Sequence, residues 1–114
     1  MDVDVGRFRA LLTDRRPDVV ILYNFFGKNS VLYGDRSWTT LLKPDALLIS
    51  DFAHSLIPNH RLEFLSGRHV FIESARKTTG CMMAHFVAPP GFAFRPELVV
   101  RLSGFQIGIR ALFA

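Results

Sequence analysis

Residues 45–51, DALLISD, and residues 69–80, HVFIESARKTTG, decide how this chain folds. In the first, Ala46 to Ser50 is a short apolar run closed by a carboxylate. In the second, His69 to Glu73 is another apolar run, and a hydroxyl, a lysine and a glycine follow it. Runs of four to eight apolar residues, bounded by turn residues, read as strands covered on both faces, the form strands take in a parallel sheet.

Working outward, Asp18 to Phe26 is a third run, rich in β-branched and aromatic residues and bounded by Pro17 and Gly27. Before it, Val5, Phe8, Leu11 and Leu12 recur at helical spacing, and Arg15, Arg16 and Pro17 close the segment as an amphipathic helix. The chain turns at Gly34-Asp35-Arg36-Ser37. There Asp35 or Ser37 can cap a short helix through Trp38, Leu41 and Leu42 that stops before Pro44. Pro58 to Ser66 reads as a further short helix ended by Gly67. A fourth strand is expected over Met82 to Val87, ended by the Pro89-Pro90-Gly91 turn, with a helix start from Pro96 to Leu102. Alternating helical and extended segments predict an α/β fold, a mainly parallel sheet flanked by helices, in one domain spanning residues 1–114.

Composition narrows the classes of function. Hydrophobic residues make up 49% of the chain and charged residues 21%, ordinary values for a folded globular chain. No apolar run approaches the roughly 20 residues of a transmembrane helix. Met1-Asp2-Val3-Asp4 is acidic where a secretory leader is basic, so the expectation is a cytoplasmic protein without a membrane partner. Cys81 is the single cysteine, which excludes an intrachain disulfide and a thiolate metal cluster. His60, His69 and His85 lack metal-ligand spacing. The net charge of +4 is carried by scattered residues with no run of Lys or Arg longer than two, so no nucleic-acid partner is expected. No internal repeat is present. Phe105 to Ala114 has Arg110 as its only charge, which implies that another surface packs there.

In open parallel sheets ligands bind beyond the carboxyl ends of the strands. The polar residues after each run are therefore the candidates: Asn24, Asp51, His54, Ser74 and Lys77. A carboxylate at Asp51 can pair with a cationic ring nitrogen, and an amine at Lys77 can form a Schiff base once its pKa is lowered. Plainer roles stand beside these. Asp51 can cap a helix with His54 in its first turn, Lys77 can be a solvated surface lysine, and Phe25, Phe26, Phe92 and Phe94 can be core.

The ordered pair DALLISDFAHSLIP and HVFIESARKTTG resembles the cofactor-binding segments of fold-type-I pyridoxal phosphate (PLP) enzymes, especially the DegT/DnrJ-type sugar aminotransferases. The resemblance covers roughly Pro17 to Pro96. It implies that Asp51 pairs with the pyridinium nitrogen of PLP, His54 contacts the ring, Ser74 contacts the phosphate and Lys77 holds the aldehyde and shuttles a proton. Asn24, in LYNFFGKN, is by the same resemblance a ring-side contact. The implied activity is amino-group transfer from a small-molecule amino donor to a keto substrate, such as a keto sugar, in a homo-oligomer. Asp51 and Lys77 are then expected to converge at the strand tips. The family's glycine-rich phosphate loop, its ring-stacking residue and its small domain with a carboxylate-binding arginine have no counterpart here. The expectation is a partial large domain, incomplete alone, with a homo-oligomer or a missing partner segment as its complement.

Two other readings remain open at this point. PDVVILYNFF and WTTLLKPDALLISDF are also similar to part of a Rossmann-like S-adenosylmethionine methyltransferase, although Asp45-Ala46 stands where glycines are expected and ESARKTTG has no role. The third is a non-catalytic scaffold that keeps the sheet without the chemistry.

Overall fold

A computed structural model of the protein describes residues 3–24, 30–53, 63–74 and 84–93. Helix α1 runs over Val5–Arg15. The Asp4 carboxylate starts it by accepting the Arg7 amide at 2.9 Å, which satisfies one of the first-turn donors. It stops because Arg16 turns into the left-handed region at φ 44°, sending its N–H back to Leu12 O, and Pro17 follows.

The strands are β1 (Val19–Tyr23), β2 (Leu47–Asp51), β3 (His69–Ser74) and β4 (Ala84–Val87), in the sheet order β1-β2-β3-β4. β1, β2 and β3 are mutually parallel, and β4 returns antiparallel to β3. The sheet is thus mixed, with its parallel part where the sequence places it. The expected fourth strand is present, with direction reversed, and its Met82-Met83 start lies outside the described residues. After Val87 the chain turns at Pro89-Pro90-Gly91, closed by Phe92 N–H to Pro89 O at 3.1 Å. Gly91 adopts φ 80°, the left-handed third position that such a turn gives to glycine.

Two of the expected helices come out differently. The segment through Trp38 forms a 3-10 helix at Ser37–Leu41 rather than an α-helix, preceded by another at Val31–Tyr33. Asp35 Oδ1 accepts the Ser37 amide at 2.9 Å, and the hydroxyls of Thr39 and Thr40 return to the carbonyls of Arg36 and Ser37. Such local bonds compete with regular helix hydrogen bonding. Residues 63–66, the described end of the expected Pro58–Ser66 helix, are not helical and bend at Leu65 and Ser66, while residues 58–62 lie outside the described residues, as does the Pro96–Leu102 segment.

Alternation along the strands separates two faces. Val20 and Leu22 of β1, Leu48 and Ser50 of β2, and His69 and Phe71 of β3 share one face. Leu12, Leu32 and Trp38 close that side into a core, with Val5, Phe8, Tyr33 and Leu65 at its margin. Trp38 has no exposed surface. Its Nε1–H donates to Leu32 O at 2.8 Å, and Phe8 meets its ring edge-on at 5.3 Å. The opposite face carries Val19, Ile21 and Tyr23, each about half exposed, then Leu47 and Ile49, then Val70, which is buried. Among the described residues no helix is long and apolar enough to cross a membrane.

Candidate functional site

β1 and β2 end in register at Tyr23 and Asp51, and β3 runs two residues further to Ser74. Tyr23 pairs in register with Asp51, and Asp51 with Ile72. Residues in register share a face, so Asp51 lies on the open face with Tyr23 and Ile72. Ser74, two residues beyond Ile72, is on that face too. Asp51 and Ser74 are both half-buried and sit on neighbouring strands at the carboxyl edge of the sheet.

Asp51 is fixed on several sides. Its carbonyl oxygen accepts the Asn24 amide at 3.0 Å, tying it to the tip of β1. The following residue, Phe52, donates its amide to Ile72 O at 2.8 Å, tying it to β3. The carboxylate folds back so that Oδ1 accepts the Ala53 amide at 2.8 Å. That Asx-type turn is the local capping role open to an aspartate at a strand end, and it also stops the carboxylate from swinging freely. His54 and Lys77 lie outside the described residues.

Asn24 stands on the other face. It is 2% exposed, its Oδ1 accepts the Ser30 amide at 3.1 Å, and its Nδ2 lies 3.2 Å from Tyr33 Oη and 3.4 Å from the carbonyl oxygens of Leu22 and Asp51. The structure therefore brings Asp51 and Ser74 together and sets Asn24 beneath them, as a brace between the tips of β1 and β2. No family model, curated protein or solved structure matches the chain in comparison.

Below Asp51 is a group of polar side chains that the sequence reading did not single out. Ser50 and His69 are fully buried on the covered face, with Ser50 Oγ 2.7 Å from His69 Nε2. Tyr33 Oη donates to the same Oγ at 2.5 Å. The Leu65 amide donates to His69 Nδ1 at 3.0 Å. Burial raises the Tyr33 phenol above its usual value, its bonds to Ser50 and Asn24 opposing this. Burial also pushes the His69 imidazole down to about 4. No buried side-chain polar atom among the described residues lacks a hydrogen-bond partner, and these residues hold no cluster of metal-ligating groups. The alternation itself carried the missing signal. Ser50 and His69 occupy inward positions beside the apolar Leu48 and Phe71, where a polar side chain needs a partner.

Proposed function

We propose that this chain forms the cofactor-binding sheet of a PLP-dependent aminotransferase-like protein of the cytoplasm, acting on a small amino donor and a keto substrate. The observation that carries the reading is the shared face of Asp51 and Ser74 at the carboxyl ends of two adjacent parallel strands, immediately before the segment that holds Lys77. The donor set suits the group. A carboxylate steadied by the Ala53 amide can face a ring nitrogen, and a hydroxyl at the end of the next strand can face a phosphate. His54 would lie against the ring.

When bound, the cofactor draws electrons from a substrate carbon. Asp51 keeps the proton on the ring nitrogen, and the Lys77 amine carries a proton to and from the substrate. The antiparallel return of β4 is compatible with this reading, because Ala84 pairs with Ser74 and leaves the Asp51 side of β3 to β2. A second copy of the chain in a homo-oligomer is part of the proposal.

The test is the absorbance spectrum of the purified protein with added PLP, before and after borohydride reduction, for the native chain, Lys77→Ala and Asp51→Asn. The expected result is a visible band that reduction traps, absent in Lys77→Ala and altered in Asp51→Asn. A native protein that is folded yet gives no band sinks the proposal and leaves the sheet as a non-catalytic scaffold.

A further inference from the structure

The hydrogen bonds around His69 have a fixed direction. Nδ1 accepts from the Leu65 amide, so the neutral ring carries its proton on Nε2 and donates it to Ser50 Oγ. That oxygen also accepts from Tyr33 Oη, which in turn accepts from Asn24 Nδ2. One chain of bonds thereby joins the tip of β1, the turn at Val31–Tyr33, β2, the start of β3 and the segment at residues 63–68.

A second proton on the ring can enter only at Nδ1, where an amide N–H already points. The imidazolium would then set two donors face to face. Among the described residues its surroundings offer little compensation, since the rings of Phe64 and Phe71 flank it with centroids 6.1 Å and 4.3 Å away. Around the ring, Tyr33 reaches it through Ser50, and Glu73 shares its sheet face two residues past Phe71. The neighbouring Arg68 and the Glu63–Arg36 ion pair lie at the surface, and Asp51 is on the opposite face. None of these carboxylates is hydrogen-bonded to the imidazole among the described contacts.

We infer that His69 is an acid-sensitive latch: protonation at Nδ1 expels the Leu65 amide and detaches residues 63–68 from the start of β3, while β1 and β2 stay paired. The group is poised for this by geometry, because both ring nitrogens are engaged and the ring has no exposed surface. Its depressed protonation, near 4, places the release in acid and keeps the latch shut at neutral pH. The latch does not depend on the cofactor proposal.

The test is nuclear magnetic resonance of the full chain between pH 7.5 and 3.5, following the His69 ring nitrogens and the Leu65 amide. Expected are an Nε2–H tautomer at neutral pH, protonation far below the usual histidine range, and a rise in Leu65 exchange of about tenfold or more at the same midpoint. That rise is counted after correction for the intrinsic pH dependence of exchange, with β1 and β2 amides still protected. His69→Asn keeps an acceptor near the Nδ1 position and cannot titrate, so its Leu65 amide stays protected throughout. The native titration decides the matter even if that variant does not fold. A ring that titrates near 6.5, a Leu65 amide indifferent to its protonation, or simultaneous loss of β1 and β2 protection each overturns the latch.

Discussion

Tyr33→Phe and Ser50→Ala, made singly and together, measure whether the buried polar chain acts as a unit. Tyr33→Phe removes one oxygen. Ser50 then loses one of two close partners and Asn24 one of its nearby acceptors, at a cost of about 1 to 3 kcal/mol. Ser50→Ala orphans two donors at once, the Tyr33 hydroxyl and the His69 Nε2–H, and is expected to cost about 2 to 4 kcal/mol. In the double variant the orphaned phenol no longer exists, so part of the second penalty disappears. The combined loss should fall short of the sum by about 1 to 2 kcal/mol. Urea unfolding at neutral pH reads all four proteins, and the single tryptophan, Trp38, reports from the same core. Strict additivity, with a coupling below about 0.3 kcal/mol, would refute the hydrogen-bonded chain as described.

Two further outcomes follow from the same core. Stability should fall with acid. The His69 imidazole is depressed from 6.5 to about 4 in the folded chain, so its contribution is complete above 6.5 and is lost as pH falls towards 4, where it levels off. That interval corresponds to roughly 3 kcal/mol, and unfolding free energies measured by urea at stepped pH should show the decline in the native chain but not in His69→Asn. Trp38→Phe should cost about 2 to 4 kcal/mol, because it opens a cavity against Phe8 and leaves Leu32 O without its indole donor. Thermal unfolding followed by circular dichroism checks it, and a loss under about 1 kcal/mol would mean the carbonyl had found another donor.

The strands were legible because their cause is local. Val19 to Tyr23, Leu47 to Ser50 and His69 to Ile72 are apolar runs bounded by turn residues, and no tertiary information is needed to see them. Asp51 and Ser74 were legible for the same reason, since a polar residue at the end of such a run lies at the edge of the sheet. Strand direction was not: nothing in the run that ends at Val87 says whether it lies along β3 or against it, and that depends on the path of the chain between them. The helix through Trp38 was read from spacing, but the hydroxyls of Thr39 and Thr40 and the Asp35 carboxylate hold the backbone in tighter turns. The Tyr33–Ser50–His69 group was out of reach for another reason. Its members lie 17 and 19 residues apart and meet only once β2 and β3 are paired, so each taken alone is an ordinary turn or strand residue. Asn24 shows the limit of reading position without face, because it follows β1 as a site residue would, yet points into the side the core covers.

β1 is the outermost of the described strands, and Val19, Ile21 and Tyr23 on its open face are each about half exposed. Nothing between residues 19 and 23 discourages a newcomer: there is no proline to withhold an amide, no lysine to repel and no bulge to twist the edge away. Among the described strands none pairs with the outer border of β1, so an extended segment that reaches it meets apolar surface. A charged side chain introduced at Ile21 is the direct test of whether this surface makes the behaviour of the molecule depend on its concentration.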